Sequence, residues 1–256
     1  MIWGAALSCA SIRCRPVIIA SMTTSAATAV ESVPALLHRR RDDPGVAHRV
    51  KRLGLWREIS WKQYAASVTQ LAAFLVAQDV VKGDRIALLS ENCPEWLVSD
   101  LAIQSAAAIT VGVYATSSAE QLLYGLRHSG ACGLILEDAE QLEKWLAIRD
   151  LCPQVRFVVS IERSDGVDGI TDWDEALTAG TAQLNHVPGC VAERCNALTH
   201  DDVALFIYTS GTTGEPKAAM LTHGNLLSAV QGSTDDFASV IEDINDILGD
   251  LDINPL

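Results

Sequence analysis

The chain reads as an α/β protein, a parallel sheet flanked by helices, and three observations predict this. Between residues 81 and 160, short aliphatic runs alternate with longer amphipathic segments, the repeat that builds parallel strands joined by helical crossovers. The helical segments open on proline or capping residues, and the strand-like runs are bounded by Gly, Asp and Ser. Finally, 49% hydrophobic and 20% charged residues in 256 positions supply a sizeable buried core and a charged shell.

Taken in order, Val33-Pro34-Ala35-Leu36-Leu37 predicts a short helix. It ends in Arg39-Arg40-Arg41, whose charges complement the helix dipole without any ligand, and Pro44-Gly45 stops it. Val46 to Lys51 and Trp56 to Ile59 form a hairpin turning around Leu53-Gly54-Leu55. Ser60 caps the next helix with Gln63 at the capping-box position. Trp61, Tyr64, Ala65, Val68, Leu71, Ala72, Leu75 and Val76 then share one helical face, which packs on a sheet.

The alternating region follows. Its strands are predicted at Arg85 to Leu89, Ile109 to Val113, Ala131 to Leu136 and Val155 to Ser160. Its helices run from Pro94 to about Ala107, from Ala119 to His128 and from Ala139 to Arg149. From Arg163 to Thr199 the pattern weakens to one amphipathic piece, Asp172 to Thr178, and the rest reads as a connecting segment. Val203-Ala204-Leu205-Phe206-Ile207 is an unbroken apolar run that suits a strand buried on both faces.

That strand leads into the most chemically informative stretch, Thr209-Ser210-Gly211-Thr212-Thr213-Gly214-Glu215-Pro216-Lys217. Four hydroxyls, two glycines and a lysine in nine residues suit a polyphosphate. Gly211 and Gly214 let backbone N–H groups approach phosphate oxygens, the hydroxyls add donors, and Lys217 brings a mobile positive charge. Composition alone would also fit a Ser/Thr/Gly-rich surface loop. The spacing from Gly211 to Lys217 does not match the Walker pattern, which disfavours ordinary P-loop NTPases.

Tyr208-Thr209-Ser210-Gly211-Thr212-Thr213-Gly214-Glu215-Pro216-Lys217 resembles the signature of the adenylate-forming (AMP-binding) superfamily, which includes acyl-CoA synthetases, luciferases and the adenylation domains of peptide synthetases. The resemblance assigns phosphate binding to Thr209, Ser210, Gly211, Thr212, Thr213, Gly214 and Lys217, with no catalytic residue or metal ligand named in this chain. Trp56-Arg57-Glu58-Ile59-Ser60-Trp61, then Asn92-Cys93-Pro94-Glu95-Trp96, then Val111 to Ser118 are similar in order and spacing to long-chain fatty acyl-CoA synthetases. The implied reaction joins a fatty acid to ATP as an acyl-adenylate and then makes a thioester with coenzyme A, with Mg²⁺ as the metal. One departure is Ala218, where the family usually has Gly, and Ala218-Ala219-Met220-Leu221 reads as the next strand. His223 sits where the family often has His; read from its neighbours it is a polar residue at a helix start.

The resemblance covers roughly residues 33–232, the expected part of an AMP-binding N-terminal domain. The family's later motifs, its acidic metal-holding segment, ribose-gripping Asp, hinge and small C-terminal domain, find no match here, so the expectation is a truncated ligase with little activity of its own. Residues 1–32 read as a leader, either a weak targeting peptide or an extension upstream of Met22, the second being preferred. Residues 233–256 carry seven acidic side chains and no Lys or Arg; Phe237, Val240, Ile241, Ile244, Ile247, Leu248 and Leu251 keep to one face of an amphipathic helix. That tail suggests either a docking helix, making the chain a non-catalytic binding or regulatory relative, or sequence left by truncation.

A net charge of −13 argues against nucleic acid as a partner. Seven scattered cysteines without CxxC spacing suit a reducing cytoplasm and free thiols rather than zinc or disulfides. No apolar run is long enough to span a bilayer, leaving at most peripheral membrane contact.

Overall fold

The structure, a computed structural model, describes residues 32–209 and 216–232. The predicted leader, apart from its last residue, and the acidic tail lie outside the described residues.

The chain enters through α1 (Val33–Arg40) and a hairpin of β1 (Val46–Arg52) and β2 (Leu55–Ser60), which pair antiparallel. Arg40 turns back to pair with Asp43 and stacks its guanidinium on Trp61 at 4.3 Å, so part of the arginine triplet is used structurally. Ser60 then caps α2 (Trp61–Ala77): its Oγ accepts from Gln63 N, while Gln63 Oε1 accepts from Ser60 N at 2.9 Å.

Strands β3 (Arg85–Leu89), β4 (Ile109–Val113), β5 (Gly133–Leu136), β6 (Phe157–Ser160), β7 (Thr171–Asp172), β8 (Val203–Thr209) and β9 (Lys217–Thr222) form one sheet in the order β7-β6-β5-β3-β4-β8-β9. All neighbours are parallel except β8 and β9. The connecting helices are α3 (Pro94–Ser105), α4 (Ala119–Ser129), α5 (Ala139–Ile148), α6 (Trp173–His186) and α7 (Cys190–Asn196). On one face α2, α3, α6 and α7 close over Ile86, Leu88, Ile135 and Val159; on the other, α4 and α5 cover Ala87, Leu89, Leu134 and Leu136. Consecutive residues of β3 serve opposite cores, which is why these strands read as unbroken apolar runs.

Several boundaries move. The helix from Pro94 stops at Ser105 because Ala107 adopts a left-handed φ of 61°. The helix from Ala139 gives way at Arg149 to a single 3₁₀ turn, and the strand expected from Val155 starts at Phe157.

The segment Arg163 to Thr199, expected to be a connector apart from the amphipathic piece Asp172 to Thr178, is instead largely helical. Ala176, Gly180 and the half-buried Trp173, Leu177 and Leu184 recur at helical spacing and pack α6 onto α2. Gly180 makes this crossing close, since a Cβ there would lie 1.8 Å from the Gln70 carbonyl oxygen. Gly189, at φ 89°, ends the excursion and begins α7. Polar residues on the outer face and the internal glycine hid this helix from a pattern reading.

The strand predicted to be buried on both faces is covered on one. Phe206 and Tyr208 pack against the α4/α5 core, whereas Ile207, pointing to the opposite face, is 37% exposed. Its partner β9 likewise leaves Met220 exposed. Among the described residues no helix is long and apolar enough to cross a membrane.

Candidate functional site

The polar stretch sits between β8 and β9. Strand β8 runs parallel to β4, so it ends at the same carboxyl edge as β3, β4 and β5, where open α/β sheets present their ligand-binding loops. The chain then reverses, and Thr209 lies opposite Lys217 in the antiparallel register. Of the predicted site residues, Thr209 therefore closes β8 and Lys217 opens β9, with Lys217 exposed to solvent. Ser210, Gly211, Thr212, Thr213 and Gly214 lie outside the described residues.

Ala218 faces Tyr208 inside β9, and it is not among the residues with positive φ. A strand position of this kind needs no glycine, so the departure from the signature is accommodated by the backbone.

Both ends of the loop are tied to α4, a contact that the sequence reading missed. The ends of α4 are well defined: Ser118 Oγ accepts from Gln121 N at 3.3 Å, Gln121 Oε1 accepts from Ser118 N at 2.9 Å, and Gly130 ends the helix at φ 64°. Tyr124 and His128, one turn apart, stack with ring centroids 5.3 Å apart and an interplanar angle of 18°. The Tyr124 hydroxyl donates to the Pro216 carbonyl at 2.9 Å, on the outgoing side of the loop. On the incoming side, the Tyr208 hydroxyl and His128 Nδ1 are hydrogen-bonded at 2.8 Å, and Tyr208 meets Tyr124 edge to face. Burial, reinforced by Tyr124, raises the Tyr208 phenol above its ordinary range, so it remains protonated at neutral pH. The legible signal was the i, i+4 aromatic pair, whose spacing fits helix and core equally well.

His223 stands at a helix start, as its neighbours imply, but it is buried: it opens a helix over residues 223–232 and is only 1% exposed. Its backbone N–H donates to the Asp202 carbonyl at 3.0 Å, and its Nδ1 accepts from Val33 N at 3.4 Å. Burial pushes its pKa down to about 4, so the ring is neutral and joins the start of α1 to the end of β9. Nearby, Lys82 pairs with Asp202 at 2.8 Å and holds the approach to β8.

A second feature lies at the same edge, a cleft of about 2150 Å³ between the β1–β2 hairpin and the carboxyl ends of β3, β5 and β6, lined by Arg52, Trp56, Glu91, Trp96, Glu137 and Trp173 among others. Glu137 Oε2 accepts from Glu91 N at 2.6 Å and from Ser90 Oγ at 3.1 Å, so the crevice between β3 and β5 is filled by the protein's own carboxylate. The Glu91 amide is thereby already engaged.

Among the described residues, no three His, Cys, Asp or Glu side chains gather to hold a metal ion. Cys93, Cys132, Cys152, Cys190 and Cys195 are free thiols.

The family model for AMP-binding enzymes matches residues 22–247. The chain is 32% identical over 205 residues to the long-chain-fatty-acid–CoA ligase FadD15 of Mycobacterium tuberculosis, covering 79% of this chain and 33% of that protein. It is 30% identical over 195 residues to fatty acyl-CoA synthetase A of Dictyostelium discoideum, covering 75% of this chain and 29% of the other. The chain thus spans about a third of the length of these relatives. In fold it is similar to the anthranilate CoA ligase AuaEII, solved with anthranoyl-AMP, at a TM-score of 0.61 and 23% identity over 77% of this chain and 36% of that one. It is likewise similar to the N-terminal domain of FACL13 from Mycobacterium tuberculosis, at a TM-score of 0.55 and 22% identity over 75% and 44% of the two chains. With a parallel sheet that delivers a Thr/Ser/Gly loop and its lysine to the carboxyl edge, and a family match over most of its length, the chain belongs to the AMP-binding enzyme family.

Proposed function

We propose that this chain supplies the phosphate grip of an ATP-dependent long-chain fatty acid–CoA ligase, and that residues 33–232 are part of its AMP-binding domain. The reaction joins a fatty carboxylate to the α-phosphorus of ATP, releasing pyrophosphate, and then passes the acyl group to the thiol of coenzyme A, releasing AMP. The observation that carries the reading is the β8–β9 turn, which sets Thr209 opposite Lys217 with both flanks of the loop pegged to α4. Similarity to long-chain-fatty-acid–CoA ligases supports the substrate class.

Thr209, Ser210, Gly211, Thr212, Thr213 and Gly214 would donate to the β- and γ-phosphates of ATP, and Lys217 would neutralise the charge that develops as pyrophosphate leaves. Catalysis of this kind is positioning and charge stabilisation rather than proton transfer. The described residues offer no ready-made metal cage, so Mg²⁺ would arrive with the nucleotide, and no step here depends on it. We place the protein in the cytoplasm, with ATP, fatty acid and coenzyme A as its small-molecule partners.

The test is equilibrium binding of ATP to the full chain beside a Lys217→Ala variant. Loss of a charge-assisted phosphate contact should weaken binding on the order of tenfold to a hundredfold. Equal affinity in the two proteins would sink the assignment. Pyrophosphate release with palmitate, measured in parallel, reports whether the grip is coupled to adenylation.

A further inference from the structure

The β1–β2 hairpin carries an oddity that neither the core nor the nucleotide site uses. Arg52 and Leu55 pair across a two-residue turn in which Leu53 takes φ 50° and Gly54 φ 80°. Such turns favour Asn, Asp or Gly at the first position, because a side chain is strained in the left-handed region. Leu53 occupies it anyway and is 100% exposed, packing on nothing. Behind it, Leu55 is 70% and Trp56 61% exposed; adjacent in the strand, they project from opposite faces of the ribbon.

The charge around this tip is the reverse of the chain's. Residues 46–60 carry Arg49, Lys51, Arg52 and Arg57 against one Glu58, in a protein of net charge −13. Arg49 pairs with Glu58 and Arg52 with Glu95. Among the described residues Lys51 and Arg57 have no ion pair, and the Lys51 ammonium lies 5.9 Å from the Trp56 ring.

We propose that this hairpin tip docks the protein on an anionic lipid surface. Leu53, Leu55 and Trp56 would enter the boundary between headgroups and acyl chains, where tryptophan is favoured, while Lys51 and Arg57 meet lipid phosphates. A protein partner is the poorer occupant. Three side chains at a two-residue turn fall far short of the roughly 800 Å² per partner that a stable protein interface needs, whereas a bilayer requires only a protruding apolar tip ringed by cations. The proposal uses no part of the nucleotide site and stands apart from the ligase reading.

The experiment is co-sedimentation of the full chain with vesicles of phosphatidylcholine alone or with phosphatidylglycerol added, at low and high salt. Binding should require the anionic lipid and weaken as salt screens it. Leu53→Ser with Trp56→Ser should lower the partition coefficient by about tenfold or more. Lys51→Gln and Arg57→Gln should each lower it about fivefold at low salt. These side chains are largely exposed, so circular dichroism and melting should be unchanged, separating lost docking from lost folding. No binding by the wild type, equal binding to both vesicle types, or unchanged partition in the variants would overturn the proposal. Reading the effect from variants removes any contribution of residues 1–31 and 233–256.

Discussion

Tyr124→Phe isolates the peg on the outgoing side of the loop. The substitution keeps the ring that stacks on His128 and removes only the hydroxyl that donates to the Pro216 carbonyl at 2.9 Å. A neutral, partly solvated hydrogen bond contributes about 1 kcal/mol net, equivalent to about a fivefold change in a local opening equilibrium. Amide hydrogen exchange reads that equilibrium directly, because it reports opening of single strands below the global unfolding limit. The Lys217 and Ala218 amides, at the start of β9, should exchange about fivefold faster in the variant. Val158 and Ile135, deep in the sheet, should be unchanged. ATP affinity should fall by a similar or smaller factor, since the loop would sample more arrangements before gripping phosphate. His128→Ala removes the peg on the Tyr208 side and should act non-additively with Tyr124→Phe, because the two rings are in contact. Unchanged exchange at Lys217 and Ala218, or a uniform rise across the whole sheet, would refute a local role for α4 in holding the loop.

Other outcomes follow from the packing and the buried histidine. Gly180→Ala places a methyl 1.8 Å from the Gln70 carbonyl and forces α2 and α6 apart; it should destabilise by about 2–3 kcal/mol in urea unfolding, while Ala176→Gly on the same helix loses only packing and propensity. His223 has a native pKa of about 4 against an ordinary 6.5, so the unfolded state binds the extra proton between those values. Its contribution is therefore intact above pH 6.5 and is lost as pH falls toward 4, on the order of 3 kcal/mol at most. His223→Gln should flatten that part of the stability profile, and parallel profiles for the two proteins would contradict the assignment. Ser60→Ala removes the capping-box acceptor of α2 and should cost about 1 kcal/mol, visible as a lower melting temperature.

Much of the architecture was legible because local and tertiary demands coincide. Ser60 with Gln63, Pro94 and Gly54 sit where the backbone needs them, and strands buried between two helical layers must be apolar on both faces. The run 208–217 likewise read as a link between two strands, because its glycines, hydroxyls and proline break an otherwise apolar pattern. Where a segment's role depended on distant partners, the pattern failed. The amphipathic start at 172–178 has its own capping box, but the helix continues to His186 against α2, where Gly180 allows a close approach to Gln70. In contrast, the run 203–207 looked fully buried, yet β8 lies next to the antiparallel β9, with one face open.

By itself, then, the sequence determined the α/β class, the order of the elements from α1 to β6, and a polar Ser/Thr/Gly stretch between two strands, since each rests on interactions among residues near one another in the chain. Only the tertiary structure decided what holds that loop. Tyr124 and His128 lie some eighty to ninety residues before their partners Tyr208 and Pro216, and His223 is buried against the start of α1, 190 positions away. Such contacts leave no periodic trace, because they arise when the β4–α4 crossover lays one helix beside a strand that enters the sheet much later.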